Sequence, residues 1–446
     1  MAAKFRPYPG TRDFYPAEME FRNWMFQTQR EVCERYGYGE YQAPVLESTD
    51  LYRAKSSEEI VNEQLYTFTD RGDREVSIRP EMTPTLARMA VDRPASCLLP
   101  LRWFSIANFM RYERPGRGRL REFYQLNVDL LGAKGPGADA EILMIAVDLM
   151  RAYGAGDDMF VVRISDRRLL DLWIGIDDRE KLRRIGRLID KKEKITEEAF
   201  AEELAKECED PELESRVRSF LAMDNASLDR EPDEIVAHLK LEGQKADDLL
   251  AVLNHLIGVR LLLRKSGHEA AVLFDPAIVR GFDYYTGLVF EIYDTNPENR
   301  RAIFGGGRYD RLLGQFGKED IPAVGFGMGD VTLEHFLEGH GLKSSRIVTH
   351  RAFLTLMNND LLGETLKLAS ELRSEGMHIE ASLEATKKFS KQFELAEKKG
   401  FRYVLILGED EAKAGTVIIK DLQTGSQHAE TRHTVADYLK KRSTGV

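Results

Sequence analysis

The 446-residue chain is poor in cysteine: only Cys33, Cys97 and Cys208 occur, and no two stand at metal-ligand spacing. That scarcity excludes a disulfide-built scaffold and a cysteine-bound zinc centre, and it fits a reducing cytosol. Long apolar runs are missing too. No stretch approaches the ~20 residues that a membrane-spanning helix needs, and residues 1–16 lack the apolar core of a secretion signal, so a cytoplasmic protein with no membrane contact is expected. Nor is there an excess of positive charge. Lys and Arg number 64 against 74 Asp and Glu, a net charge of −10. The overall field repels phosphates, so any nucleic-acid contact must come from local patches. The length corresponds to about three domains.

Against this background two segments concentrate polar chemistry. The first is Arg280-Gly-Phe-Asp-Tyr-Tyr-Thr-Gly-Leu-Val-Phe-Glu291, with a cation, a carboxylate and paired phenols. Alternation from Tyr285 to Glu291 predicts a strand with Tyr285, Gly287, Val289 and Glu291 on one face. The segment suits a polar-substrate site and reads equally well as an ordinary tyrosine-rich strand. The second runs from Arg111 through Glu113 and Arg119 to Phe123 and Gln125, with five arginines around a Pro-Gly-x-Gly turn. Strand-like flanks, 101–110 and 123–131, predict a long hairpin with an arginine-rich tip. Guanidinium forks there suit phosphate oxygens, although composition alone also describes a solvated basic loop.

Pro16 opens a predicted helix with Phe21, Met25, Thr28 and Val32 on one face and Gly37 as its stop. Residues 41–46 read as a strand broken by Pro44. Arg79-Pro-Glu-Met-Thr-Pro84 predicts a rigid turn into a helix, where Glu81 is a cap or a ligand. Residues 168–267 turn charged and helical with no catalytic constellation. After Leu342, strands at 352–357, 379–382, 403–407 and 416–422 alternate with helices at 363–375 and 386–399. That pattern predicts a small α/β domain with a mainly parallel sheet. Lys387, Lys388, Lys391, Lys398 and Lys399 offer positive charge there, or simply solvate the helix.

The arginine hairpin and the Arg280–Thr286 segment together resemble the class II aminoacyl-tRNA synthetases, specifically the histidyl-tRNA synthetase family. Gly10-Thr-Arg-Asp-Phe-Tyr-Pro16, Pro44, Arg79–Thr83, Gly305-Gly-Gly-Arg-Tyr309 and Gly325-Phe-Gly-Met-Gly329 follow the same order. The fold class implied is α/β: an α+β catalytic core (1–167 and 268–342) with an antiparallel sheet and flanking helices, a helical insertion (168–267), and an anticodon-binding-like α/β domain (343–446). The resemblance implies a homodimer that activates L-histidine with ATP and magnesium, then charges tRNA(His). It implies Arg111 and Arg280 as catalytic cations on the α-phosphate. Glu113, Arg119 and Phe123 join them at ATP, with Arg119 on the terminal phosphates. Glu81, Met82, Thr83, Gln125, Asp129, Tyr284 and Tyr285 line the histidine site with Arg111 and Arg280. An imidazole needs a donor and an acceptor, or two acceptors when protonated, so carboxylates and phenols suit it. No protein cage for a metal is implied, because magnesium arrives on ATP.

Two positions depart from the family pattern. Asp129 stands where a glutamate is usual, and Thr332 stands where the third class motif, Gly-Leu-Glu-Arg-Leu, has the arginine that stacks on adenine. Arg301 and Arg308 are candidate substitutes. The competing reading is a non-catalytic histidine sensor resembling the regulatory subunit of ATP phosphoribosyltransferase. Against it stand Arg111, Arg119 and Arg280, all present, and the C-terminal domain.

Overall fold

The computed structural model describes residues 5–53, 60–116, 118–192, 195–278, 284–299, 301–316, 320–343, 351–386 and 388–443. The chain divides into two compact units, Met1–Ser345 and Arg346–Val446.

The first unit is organised on an eight-stranded sheet. From one edge the strands are Gly39–Glu40, Leu101–Met110, Glu122–Leu131, Ala323–Gly329, Ala302–Arg308, Leu288–Asp294, Phe160–Asp166 and Val272–Phe274. The inner strands pair antiparallel, and each edge strand pairs parallel to its neighbour. Helices Pro16–Arg35 and Pro136–Ala152 and the long Gly243–Lys265 share one apolar core with Phe104, Val128, Phe290 and Phe326. The first helix buries Phe21, Met25 and Val32, and Gly37 takes a left-handed φ of +79° after its end. Thr28 is only partly buried. The charged stretch forms helices Arg179–Lys191, Glu197–Cys208 and Pro211–Leu221 with an apolar side: Ile185, Leu188, Phe200, Leu204, Val217 and Phe220 join the same core.

Three local expectations are corrected. Residues 41–44 are not a strand; pairing breaks between Gly39–Glu40 and Leu46–Ser48, around the Pro44 that cannot donate to a ladder. Strand Leu288–Asp294 starts three residues later than alternation predicts, because Thr286 hydroxyl and amide groups turn the chain against Arg308 and Asp310. The sheet of the second unit is mixed rather than mainly parallel. Its order is His378–Ala381, Arg351–Leu354, Tyr403–Ile406, Thr416–Asp421, Gln427–Thr431, with two parallel and two antiparallel pairings. Helices Leu362–Ser374, Ser390–Lys398, Glu409–Ala414 and Val435–Ser443 complete that unit.

Candidate active site

Side chains on a strand alternate between faces, and one face of the large sheet combines polar groups with glycine. Strand Glu122–Leu131 presents Phe123, Gln125, Asn127 and Asp129, while the adjoining strands present Gly325, Gly327 and Gly329, then Gly305 and Gly307. At several of these positions a side chain would collide with a neighbour. A Cβ on Gly325 would lie 2.2 Å from Asp129 Oδ1, and one on Gly327 2.3 Å from Gln125 Nε2. Gln125 and Asp129 can therefore lean across the bare backbone of the neighbouring strand, and a cavity of about 540 Å³ opens above it.

Asp129 lies at the deep end. It is 3% exposed; Oδ1 accepts from Tyr309 Oη at 2.5 Å, and Oδ2 finds no hydrogen-bond partner among the described residues. Burial pushes its carboxyl up to about 7, against the lowering effect of the Tyr309 hydrogen bond. An acceptor buried without a partner costs stability, and this oxygen lies where a donor entering the cavity could reach it. Tyr284 and Tyr285 pack edge to face with centroids 5.1 Å apart, and Tyr284 stands in the same relation to Tyr309. Burial holds all three phenols protonated, so each keeps an O–H to donate.

Glu81 is buried beside them and accepts from Tyr284 Oη at 3.3 Å. It does not cap helix Thr83–Val91, where no side-chain cap bond forms. Thr83 lines the cavity. Met82 does not: it is fully buried in a separate cluster with Ala107 and Phe109, because three consecutive residues cannot all point one way.

Arg111 follows the outgoing hairpin strand. Its Nε donates to the carbonyl of Pro80 at 2.9 Å; that turn is fixed by Arg79, whose guanidinium donates to the carbonyls of Ala43 and Asn108. The rest of the Arg111 fork faces the cavity, 5.2 Å over the Phe123 ring and 4.0 Å from Glu113. Exposed Arg119 pairs with Glu113 at 3.3 Å. These residues, with Phe123, Gln125 and Thr332, line a contiguous 210 Å³ recess. Phe123 and Asp129 are six residues apart on one strand, which sets the long axis of the site at ~20 Å.

Arg280 lies in 279–283, outside the described residues; Ile278 and Tyr284 on either side both line the cavity. Arg308 does not substitute for the missing stacking arginine. It is buried and bonded to Asp139 at 2.7 Å and Asp310 at 3.1 Å, with His255 on the same Asp139. Arg301 lies in a groove next to Thr332. Asn127, Glu291 and Tyr309 also line the cavity. Period two from Gln125 points to Asn127, alternation from Tyr285 puts Glu291 on the face of that tyrosine, and the motif Gly305–Tyr309 contains Tyr309, but none of these signals says that the side chain reaches a site.

A glycine-floored antiparallel sheet with an arginine hairpin over it defines the catalytic unit of a class II aminoacyl-tRNA synthetase. Comparison with known proteins narrows this. A family model described as histidyl-tRNA synthetase matches residues 10–333, and one described as anticodon binding domain matches 351–442. The chain is 43% identical over 424 residues to the histidine–tRNA ligase of Leptospira biflexa, covering 94% of each. It is 36% identical over 440 residues to that of Opitutus terrae, covering 97% of each. The crystal structure of histidyl-tRNA synthetase from Nostoc sp. PCC 7120 superposes with a TM-score of 0.84 at 25% identity, over 98% of this chain and 99% of that one. The chain belongs to the histidyl-tRNA synthetase family.

Proposed function

We propose that this chain is a histidine–tRNA ligase that works through the glycine-floored cavity. A carboxylate oxygen of L-histidine attacks the α-phosphorus of ATP; a new P–O bond forms, the α,β-bridging bond breaks, and pyrophosphate leaves. A ribose hydroxyl of the terminal adenosine of tRNA(His) then attacks the activated carbonyl, and AMP leaves with the electron pair.

The unpartnered Oδ2 of Asp129 carries this reading. It is an acceptor for an imidazole N–H, while Gln125 and the two tyrosines enclose the ring. Glu81 and Thr83, in the same cavity, receive the ammonium group. At the other end Phe123 offers adenine its face and Glu113 its carboxylate, and Arg119 takes the terminal phosphates. Arg111, oriented by Pro80, lies between the two ends and bridges the histidine carboxylate and the α-phosphate; Arg280, outside the described residues, is taken from the family resemblance as the second cation on that phosphate. Holding two anions together and neutralising charge that grows in the transition state is preorganised electrostatic catalysis. Among the described residues no group of three His, Cys, Asp or Glu is placed to hold a metal. The cavity does carry Glu291, a hard oxygen donor that would suit magnesium arriving on ATP, and the ion would supply charge neutralisation on the phosphates.

The division into a catalytic core at 1–167 and 268–342, an insertion at 168–267 and an anticodon-binding domain at 343–446 belongs to the same proposal, as do homodimerisation and a cytoplasmic location. Among the described residues no helix is long and apolar enough to cross a membrane. A histidine sensor without catalysis is disfavoured by the anticodon-binding match at 351–442. The test is transfer of labelled histidine to tRNA. We expect charging by the native chain and, in Arg111→Ala, a loss of 10²–10³ in rate, roughly the cost of one preorganised donor. Undiminished charging by the variant would refute the assignment of Arg111.

A further inference from the structure

The Gly10–Pro16 motif has no part in the chemistry above, yet it lies against the return arm of the arginine hairpin. The carbonyl of Gly10 accepts from Arg121 N at 2.9 Å and Glu122 N at 3.1 Å. Gly10 has φ +88°, and a Cβ there would meet Arg121 Cγ at 2.8 Å, so only glycine permits the approach. Two residues on, Arg12 Nη2 donates to Asp330 Oδ2 at 2.6 Å, with Nη1 3.5 Å from Glu334.

Asp330 is 3% exposed and begins the helix that follows strand Ala323–Gly329. Its Oδ1 accepts from Tyr124 N at 2.9 Å. The backbone ladder between the two strands stops where Gln125 faces Gly329, so the carboxylate supplies the next rung from a side chain. The backbone N–H groups of Arg121, Glu122 and Tyr124, which flank Phe123, are thus held by Gly10 and Asp330. Arg12 links those two anchors. Behind this arm the guanidinium of Arg22 lies 3.6 Å over the Tyr124 ring.

We propose that the Gly10–Arg12 segment is part of the nucleotide site, with Arg12 and Asp330 as positioning residues that fix the Phe123 shelf and so set ATP affinity without touching ATP. This rests on the reading of Phe123 as the adenine contact. Without Arg12, Asp330 would keep only Arg22 as a nearby counter-charge, so it would more readily take up a proton or turn outward and release Tyr124 N–H. The shelf next to Tyr124 then loses its register. Thr332 itself provides no second stacking group for adenine.

The test measures KM for ATP and for histidine in ATP–pyrophosphate exchange, with thermal midpoints, for full-length Arg12→Ala, Arg12→Lys, Asp330→Asn and the Arg12→Ala/Asp330→Asn pair. Arg12→Ala is expected to raise the KM for ATP roughly tenfold, the scale of one charged hydrogen bond, with the KM for histidine within twofold. Arg12→Lys should recover most of the loss, and the pair should be no worse than its worse member. An unchanged KM for ATP, or equal rises in both constants, would overturn the proposal. If Arg12→Ala does not fold, Asp330→Asn decides by the same split: its amide oxygen can still accept from Tyr124 N, which favours folding, but its NH2 faces the Arg12 donor and breaks the charged link that holds this group in place. Absence of histidine-dependent exchange in the native chain would instead overturn the underlying reading, and this proposal with it.

Discussion

Replacing Asp129 by asparagine should stabilise the empty protein while weakening histidine recognition, with a pH dependence that identifies the cause. Burial holds the folded-state carboxyl near 7, against an ordinary value of 3.8. Between those values the native state binds the proton more tightly than the unfolded state, so stability falls as pH rises from about 4 to about 7 and is flat above. That interval is about three pH units at ~1.4 kcal/mol each, an upper limit of ~4 kcal/mol. Asp129→Asn removes the penalty and keeps an oxygen for Tyr309. Thermal midpoints of native and variant, measured without ligand from pH 4 to 9, should nearly coincide at pH 4. They should diverge with the variant higher up to pH 7, then run parallel. Saturating histidine should lift the native midpoint and leave the variant nearly unmoved, because an amide nitrogen in place of Oδ2 presents a donor to a donor. A variant that is less stable at every pH, or a difference independent of pH, would refute the reasoning.

Further outcomes follow from neighbouring geometry. At Gly327 the atoms nearest an added Cβ all belong to the flexible Gln125 side chain. Gly327→Ala should therefore leave the thermal midpoint nearly unchanged while raising the KM for histidine by roughly tenfold, the upper range of one lost neutral hydrogen bond; an unaltered KM would remove Gln125 from the site. Arg308 and Asp139 form a buried pair, Asp139 with no exposed surface. Arg308→Met should destabilise the chain by about 3–5 kcal/mol, the usual result of breaking a buried charge pair from one side, even though His255 stays on Asp139, and an unfolding free energy within 1 kcal/mol of native would contradict that.

Much of the site could be read in the sequence because it lies on one strand. Period two fixes Phe123, Gln125 and Asp129 on one face, and the arginine hairpin is bounded by two strands whose register, Leu101 opposite Leu131 to Met110 opposite Glu122, is continuous. What pattern could not supply comes from other strands. Alternation and the glycine motif mark Glu291 and Tyr309 only locally, and it is sheet pairing across long sequence separations that brings them to the cavity; Met82 is lost from it because its neighbours Glu81 and Thr83 take the open side. The glycine runs are conspicuous as composition, but their purpose appears only when the side chains of Gln125 and Asp129 are seen lying over them. In the second unit, strand Gln427–Thr431 escaped notice because it is an edge strand without a fully buried residue, so it has no apolar pattern to reveal it.

The central claim is that one cavity joins histidine to the α-phosphate of ATP. ATP–pyrophosphate exchange with each amino acid in turn, by the native chain and by Arg280→Ala, tests it directly. The account predicts exchange with histidine alone, collapsing in the variant; exchange driven by another amino acid, or none despite measurable histidine binding, would contradict it.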